Sequence, residues 1–355
     1  MASGTVARRA VAVEIAALLD SDEIAALVRE IGAAGDTRGR KGYGARALVG
    51  ACLVKALYGL PTWTRVASLI DDHPGLQSAL GGSPSLWACY RFTTKLRLYS
   101  DVLADCLDRV TASLQTEFPG IGRDAAIDGS DLPAFANGQR FVSKNGPERE
   151  RFSDPDASWG HRSSISTRKG GGYYGFKLHA LVCTRTGLPL AWEVDTAKAA
   201  ELHHVPSLID TAKTRGFAVA TCAMDKGYDN STVHDACEQR NCHPIVPIRK
   251  RKAATRRTVD KRGRPFVPQP VVSPLPGTPP SRKHPHVPRE SESFRTLYRH
   301  RGAVEREFGR LKHDFGLLPL RVRGLQRVQL HADLTMLARL SQALSRARAE
   351  ANRAA

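Results

Sequence analysis

The pattern of apolar residues changes abruptly near residue 118. Before this point, apolar residues recur at helical spacing in segments near 10–33, 44–58, 62–71 and 84–117, which predicts amphipathic helices. After it, short apolar runs alternate with helical segments. This change predicts an α/β domain preceded by a helical region.

The second part of the chain contains the elements of a sheet with crossover helices. Apolar runs bounded by turn residues predict five strands, in RDAAIDGS, YYGFKLHALVCT, GLPLAWEVDT, FAVATCAMD and HPIVPI. Helical spacing predicts further helices at about 199–214, 230–240 and 326–350, and one continuous helix from Ser293 to Phe315 that Gly316 ends.

These elements divide the chain into three predicted parts. Residues 1–118 form a helical N-terminal domain, residues 119–320 an α/β domain and residues 321–355 a C-terminal helix. Within the α/β domain, residues 249–292 are rich in Pro, Lys and Arg, and Pro excludes a continuous helix or central strand. We interpret this segment as an insertion, either lying along DNA or forming a plain disordered loop.

The charge of the chain indicates a polyanionic partner. Fifty-three Lys and Arg residues against 35 Asp and Glu residues give a formal charge of +18. DNA and RNA are the commonest partners of so basic a surface, and a solvated basic surface without a specific partner is the alternative. Glu14 interrupts the apolar N-terminal stretch and Lys55 the longest apolar run. We therefore expect neither a secretory signal nor a membrane span, and a cytoplasmic, nucleoid-associated protein.

The cysteines do not predict a zinc site. None of the seven forms a Cys-x-x-Cys pair, and Cys237, Cys242 and His243 lack a second pair of ligands nearby in the sequence. Free thiols in a reducing compartment are the better interpretation. The run GGGYYG lacks the Gly-Lys-Ser/Thr ending of a phosphate loop, so no nucleotide cofactor is expected.

The predicted helix after the insertion carries a polar row. At about 100° per residue, Tyr298, Arg301, Glu305 and Lys312 fall within about 60° of one another, beside an apolar face. A carboxylate flanked by cations there can lie along a phosphate backbone. Ordinary charge pairs on a solvated helix face are the alternative.

Two aspartates lie at predicted strand ends. Asp128 ends the strand in AIDGS and Asp225 the strand in AMDKGYD, where α/β sheets commonly build their sites. Either alone is more often a turn or capping residue. Together with Glu305 they would repel one another unless divalent cations were bound, and Mg²⁺ suits carboxylate and phosphate oxygens.

The motifs resemble one family. Tyr298, Arg301, Glu305 and Lys312 match the Tyr-Arg-Glu-Lys signature of bacterial insertion-sequence DDE transposases without a gap. AIDGS resembles the first-Asp motif of that family, AMDKGYD the second, and YGFKLH its Tyr-Gly-x-Lys-x-His strand. DPDA, beginning at Asp154, resembles the segment that often precedes this strand. The matches follow the family order over about 120–320.

The resemblance implies an RNase H-like catalytic fold and a transposase that cuts and joins DNA at insertion-sequence ends by two-metal phosphoryl transfer. It implies Mg²⁺, with Mn²⁺ as a substitute, and double-stranded DNA as partner, both terminal inverted repeats and target DNA. It also implies a homodimer on the DNA ends. Three catalytic metal ligands are carried over, Asp128, Asp225 and Glu305. Three DNA-holding residues are carried over, Tyr298, Arg301 and Lys312.

Alternatives remain at each level. Asp131, Asp229 and Glu307 compete for the three carboxylate positions. We prefer Asp128 because Gly and Ser follow it, Asp225 because Asp229 lies inside the following turn, and Glu305 because Glu307 points away from the polar row. The rival functions are a domesticated or inactive DNA-binding protein of transposase origin and another RNase H-like nuclease.

Overall fold

The computed structural model describes residues 11–34, 42–162, 170–249, 282–283 and 285–354. Most of the Pro-rich segment predicted as an insertion lies outside the described residues, so its relation to DNA stays a prediction. The described part is a mixed α/β structure with one six-stranded sheet. Among the described residues, no helix is both long and apolar enough to cross a membrane.

In the described part of the chain, seven α-helices precede the sheet, where helical spacing predicts four segments; the segments near 10–33 and 84–117 each contain two helices. They are α1 (Val11–Leu19), α2 (Asp22–Ala33), α3 (Ala45–Leu57), α4 (Trp63–Asp71), α5 (Pro74–Leu80), α6 (Leu86–Leu96) and α7 (Ser100–Glu117). The short helix α5 was not predicted. It starts with Pro74 in the first turn, and the His73 ring accepts the Leu76 N–H to cap it.

The sheet contains the five predicted strands and one additional strand. They are β1 (Asp124–Pro133), β2 (Ser158–Arg162), β3 (Gly171–Cys183), β4 (Pro189–Thr196), β5 (Thr221–Ala223) and β6 (His243–Ile245). The additional strand is β2, which lacks an apolar run because it pairs only with the start of β3 and stays largely exposed. The order is β2-β3-β1-β5-β6, with β4 also paired to β3.

The central strand β1 has an antiparallel neighbour on one side and a parallel neighbour on the other. Its partner β3 is antiparallel, whereas β5 is parallel to β1 and β6 parallel to β5. The parallel strands are connected through helices, α8 (His204–Thr214) after β4 and α9 (Ser231–Glu238) between β5 and β6. The remaining helices follow the Pro-rich segment, α10 (Glu292–Arg299), α11 (Gly302–His313) and α12 (Leu325–Ala354).

The continuous helix predicted from Ser293 to Phe315 is wrong. The structure has α10 and α11, separated at His300 and Arg301. There the N–H groups of His300 and Arg301 bond to carbonyls three residues back, as do those of Ala303 and Val304. This tight turn interrupts the helix beside Gly302, a poor helix former. The helical wheel that placed Tyr298 and Glu305 on one face therefore does not hold across the break.

The last helix packs on both the N-terminal helices and the sheet. α12 packs on α3, α7 and β4. The buried apolar side chains form one cluster, which includes Ile15 of α1 and Leu344 of α12. The start of α12 is held by the DPDA segment, because Asp154 accepts the Gly324 N–H at 3.1 Å and Asp156 the Leu325 N–H at 2.9 Å. The N-terminal helices and the sheet thus share one core.

Candidate active site

The register of the central strands places Asp128 and Asp225 side by side. Ala126 of β1 pairs in parallel with Ala223 of β5, and each aspartate follows two residues after its paired alanine. Neighbouring strands lie about 4.8 Å apart, so the two carboxylates leave the sheet at the same level. Asp225 follows the end of β5 as predicted, whereas Asp128 does not end its strand, because β1 continues to Pro133 beside β3 and only its pairing with β5 stops at Ala126.

Arg301 joins Asp128 to Glu305. Its Nη1 lies 3.2 Å from Asp128 Oδ2, and its Nη2 lies 2.6 Å from Glu305 Oε1. Glu305 is otherwise open, with 57% of its side chain exposed. Arg301 occupies this position because the turn before α11 directs its side chain toward β1. One guanidinium therefore connects the first and the third of the predicted catalytic carboxylates.

The charge around Asp128 is poorly balanced. The pKa of Asp128 is raised to about 7, chiefly by burial and also by the carboxylates of Glu201 and Asp225, while the Gly129 N–H and Arg301 oppose the shift. The Gly129 N–H donates to Asp128 Oδ1 at 2.8 Å. Crowded carboxylates of this kind favour a bound cation.

A buried hydroxyl faces the same carboxylates. Tyr228 is 1% exposed, and its Oη has no hydrogen-bond partner among the described residues. Burial first, and then the charges of Glu201, Asp128 and Asp225, raise the pKa of Tyr228 well above its usual range. A buried hydroxyl without a partner is rare, and here it is surrounded by anionic groups.

The pair Lys177–Glu201 was not predicted as part of the site. Glu201 lies just before α8, and its Oε1 accepts from Lys177 Nζ at 2.6 Å. A Cβ on Gly129 would lie 3.0 Å from Lys177 Cδ and 3.2 Å from Glu201 Oε1, so glycine makes room for the pair. Lys177 belongs to the YGFKLH motif, but nothing in the local sequence marks Glu201.

Each of the three competing carboxylates is paired with an arginine. Asp229 has a fully buried side chain and binds Arg282 through both oxygens, at 2.8 and 2.6 Å. Glu307 is buried and binds Arg339 of α12. Asp131 lies 3.3 Å from Arg162 Nη2.

The remaining predicted DNA-holding residues lie near the site. Lys312 Nζ donates to the Asp131 carbonyl oxygen at 2.8 Å, which ties α11 to β1. Tyr298 is half-buried and stacks on Phe294, with ring centroids 6.0 Å apart and planes inclined by 12°. The break in the helix therefore separates the two: Lys312 extends from α11 beside the carboxylates, whereas Tyr298 packs within α10.

The donors fit a hard divalent cation. Asp128, Asp225, Glu305 and Glu201 offer carboxylate oxygens, which Mg²⁺ prefers, and the unpaired Tyr228 hydroxyl adds another oxygen. Among the described residues, these carboxylates do not form a set whose ligand atoms all lie within 4.8 Å of one another. Arg301 accounts for the wider spacing, because its guanidinium lies between Asp128 and Glu305.

A basic cavity opens between the N-terminal helices and the start of α12. It has a volume of about 430 Å³ and is lined by cationic and aromatic side chains without a carboxylate. The cations are Lys55, Arg97, Arg321, Arg323 and Arg327, and the aromatic rings are those of Trp63, Tyr90 and Phe135. Burial lowers the pKa of Lys55 to about 8, because the charged ammonium group loses contact with water.

A comparison with known families identifies the class of protein. The profile of the family described as Transposase DDE domain matches residues 120–340, which include the entire sheet, α11 and the three carboxylates. Among curated proteins, no sequence matches the chain. Because the match covers more than half of the chain, the protein belongs to the Transposase DDE domain family. The family is one of DNA transposition and recombination, and it implies DNA as the substrate.

Proposed function

We propose that the protein is an insertion-sequence transposase that cleaves the DNA strands at the element ends and transfers them to target DNA. The observation that carries this proposal is the arrangement of Asp128 and Asp225 at one level of the sheet, with Glu305 joined to Asp128 through Arg301. A chain of this family needs three carboxylates around one phosphate, and these three are the best candidates.

Asp128, Asp225 and Glu305 would hold Mg²⁺ or Mn²⁺. When bound, a pair of such ions activates a water or a 3′-hydroxyl and stabilises charge on the scissile phosphate. The protein's own residues orient the DNA. Arg301 presents its remaining donors toward the same space as the carboxylates, and Lys312 extends a cation beside β1. Both cations stabilise negative charge that develops on the phosphate.

The sheet supports an RNase H-like assignment for the catalytic region. Its central strand β1 carries the first carboxylate. This strand has an antiparallel neighbour on one side and a parallel neighbour on the other. We propose residues 119–320 as the catalytic domain, with residues 1–118 and the C-terminal part 321–355 serving DNA binding and support. The shared core makes these functional parts rather than independently folding units.

We assign recognition of the DNA sequence to the helical N-terminal part. The exposed face of α6 carries two large aromatic side chains, Trp87 with 68% and Tyr90 with 45% exposure, beside Arg91 and Lys95. Exposed aromatic and basic residues on one helix suit contacts with bases and phosphates. Tyr90 also lines the basic cavity, which extends this surface toward α12. We propose that a homodimer brings two such surfaces to the two terminal inverted repeats.

The alternative is a DNA-binding protein of transposase origin that no longer cuts. Arg301 favours it to the extent that a guanidinium already neutralises Asp128 and Glu305. The two functions differ in one observable, strand cleavage that depends on a divalent cation.

The test uses the full chain and a linear DNA that carries the gene with its flanking inverted repeats. With Mg²⁺ or Mn²⁺, we expect nicks at the repeat ends, and with a chelator we expect binding alone. A matched DNA with scrambled repeats controls for non-specific nicking. Binding of the repeats without cleavage under either ion would favour the non-cutting alternative.

A further inference from the structure

A second cluster of metal-binding side chains lies away from the carboxylates. Glu238 ends α9 and His243 begins β6. Asn241, with a left-handed φ of 50°, lies in the tight turn between them. His286 lies in the last part of the Pro-rich segment, among its described residues. Among the described residues, these three form the group whose ligand atoms all lie within 4.8 Å of one another.

The distances fit a shared ion better than hydrogen bonds. His243 Nδ1 lies 3.8 Å from Glu238 Oε1, and His286 Nε2 lies 3.6 Å from Glu238 Oε2. Both exceed hydrogen-bond length. Two ligand atoms about 2.1 Å from a tetrahedral ion lie about 3.4 Å apart. The imidazole rings also approach each other, with centroids 4.4 Å apart, which two charged rings would oppose.

An unpaired nitrogen gives a second indication. His243 Nδ1 is inaccessible to solvent and has no hydrogen-bond partner in the described structure. Buried polar atoms usually have partners. A metal ion placed between His243, Glu238 and His286 would satisfy this nitrogen.

We propose that Glu238, His243 and His286 bind one transition-metal ion, Zn²⁺ in preference to Mg²⁺. Two imidazole nitrogens and one carboxylate oxygen are donors suited to Zn²⁺, with a fourth position left for water, whereas Mg²⁺ favours oxygen ligands. The spacing of Cys237, Cys242 and His243 does not predict this site, because Glu238 is neither a cysteine nor a histidine and His286 lies far beyond the motif in the sequence.

The site is separate from the catalytic carboxylates. His243 pairs with Thr221 at the start of β5, and Thr221 pairs with Asp124 at the start of β1. Asp128 lies four residues further along β1, or about 13 Å at strand spacing. The two groups of ligands therefore lie at opposite ends of the parallel strands.

The position of His286 indicates what the ion does. Arg282 binds Asp229 at 2.6 Å, and Arg289 donates to the Val246 carbonyl at 2.9 Å. These contacts hold the last part of the Pro-rich segment against the sheet. The ion adds a third attachment through His286, just ahead of α10. It therefore fixes the start of the segment that leads to Arg301 and Glu305.

The test measures metal binding by the full chain after removal of all metals with a chelator. Zn²⁺ should bind with one equivalent at this site and raise the melting temperature, and Co²⁺ should give a visible spectrum of a nitrogen- and oxygen-ligated ion. His286 is exposed, so His286→Ala should fold and lose at least about 100-fold in Zn²⁺ affinity, more than loss of a residue that only orients a ligand.

Two control variants separate this site from others. His313→Ala removes an exposed histidine of α11 and should leave Zn²⁺ affinity unchanged. Asp128→Asn alters the catalytic carboxylates and should leave the Zn²⁺ equivalent in place. Equal Zn²⁺ affinity in His286→Ala and His313→Ala would overturn the proposal. So would a Co²⁺ spectrum with intense sulfur charge-transfer bands, because it would assign the ion to the buried cysteines.

Discussion

Two glutamates in one helix have opposite surroundings. Glu305 is 57% exposed and shares a single guanidinium with Asp128. Glu307 is fully buried and is bound by Arg339 at 2.7 Å and by Arg310 at 3.0 Å. Glu307 therefore has its charge balanced within the fold, whereas Glu305 has spare acceptors beside other carboxylates. The difference distinguishes a carboxylate that stabilises α11 against α12 from one that remains available to a ligand.

The largest expected effect is on cleavage by Asp128→Asn. The substitution keeps the size of the side chain and removes the charge that would hold a divalent cation. We expect cleavage with Mg²⁺ to fall at least about 1,000-fold, equivalent to about 4 kcal/mol in the barrier. DNA binding should change little. Single-turnover cleavage at saturating protein measures the effect, and Glu290→Gln, an exposed carboxylate outside the site, is the control.

Glu307→Gln should act on stability. Removing one partner of a buried ion pair leaves Arg339 uncompensated, and we expect the free energy of unfolding to fall by about 3 kcal/mol. Urea titration measures it. The double variant Glu307→Gln/Arg339→Gln should lose less than the sum of the single variants. Strict additivity would mean that the two side chains do not stabilise the fold as a pair, and would remove the contrast with Glu305.

Lys312→Ala should weaken DNA binding. Its ammonium group is bound to the Asp131 carbonyl at 2.8 Å and is proposed to contact a phosphate as well. We expect about tenfold lower affinity for duplex DNA, and a salt dependence reduced by about one counterion. Arg353→Ala, at the exposed end of α12, is the control. An unchanged salt dependence in Lys312→Ala would limit Lys312 to its structural contact.

The smallest expected effect concerns His331 and pH. Burial first, and then Lys55, lower the pKa of His331 to about 3. Its Nε2 lies 3.2 Å from the Leu317 carbonyl oxygen. A folded-state pKa below the unfolded value of about 6.5 gives stability that is present above pH 6.5 and is lost as the pH falls.

The parent should therefore lose about 1 kcal/mol between pH 7 and 5.5 that a variant without this group does not lose. His331→Asn removes the titrating ring. The difference in unfolding free energy between parent and variant should shrink over this interval. If it is independent of pH, the burial of neutral His331 does not contribute in this way.

The sequence was informative where local pattern decides structure. The change near residue 118, the five apolar strands and the position of Asp225 after a strand are properties of short segments, and strand alternation and helical spacing suffice to predict them. The predicted strand end at Asp128 is wrong, because β1 continues to Pro133 through its pairing with β3. The preference for Asp225 over Asp229 stays a prediction, which the pairing of Asp229 with Arg282 supports.

The sequence was less informative where distant elements meet. Glu201 approaches Asp128 only because α8 packs beside β3. The role of Glu307 depends on Arg339, 32 residues away. The turn at His300 and Arg301 replaces one predicted helix by two. Helical periodicity alone does not reveal it, because both halves keep an apolar face. The contact of Arg301 with Asp128 follows from that turn.

The burial of Glu307 and the shared core limit which variants can test the contrast between Glu305 and Glu307. Because Glu307 is buried against Arg339, Glu307→Gln is a stability variant rather than a neutral control for catalysis. Deleting residues 1–118 would likewise remove helices that share a core with α12. Substitutions of exposed α6 residues such as Trp87 and Arg91 are therefore the appropriate test of sequence choice by the N-terminal part.

The most direct measurement is the single-turnover cleavage rate of Glu305→Gln on terminal-repeat DNA with Mg²⁺, at protein concentrations that saturate the DNA. The variant keeps the shape of α11, and its free energy of unfolding should match that of the parent, since the exposed pair with Arg301 contributes little. We expect the cleavage rate to fall by orders of magnitude at unchanged DNA occupancy. A rate within about twofold of the parent would contradict the assignment of Glu305 as the third catalytic carboxylate.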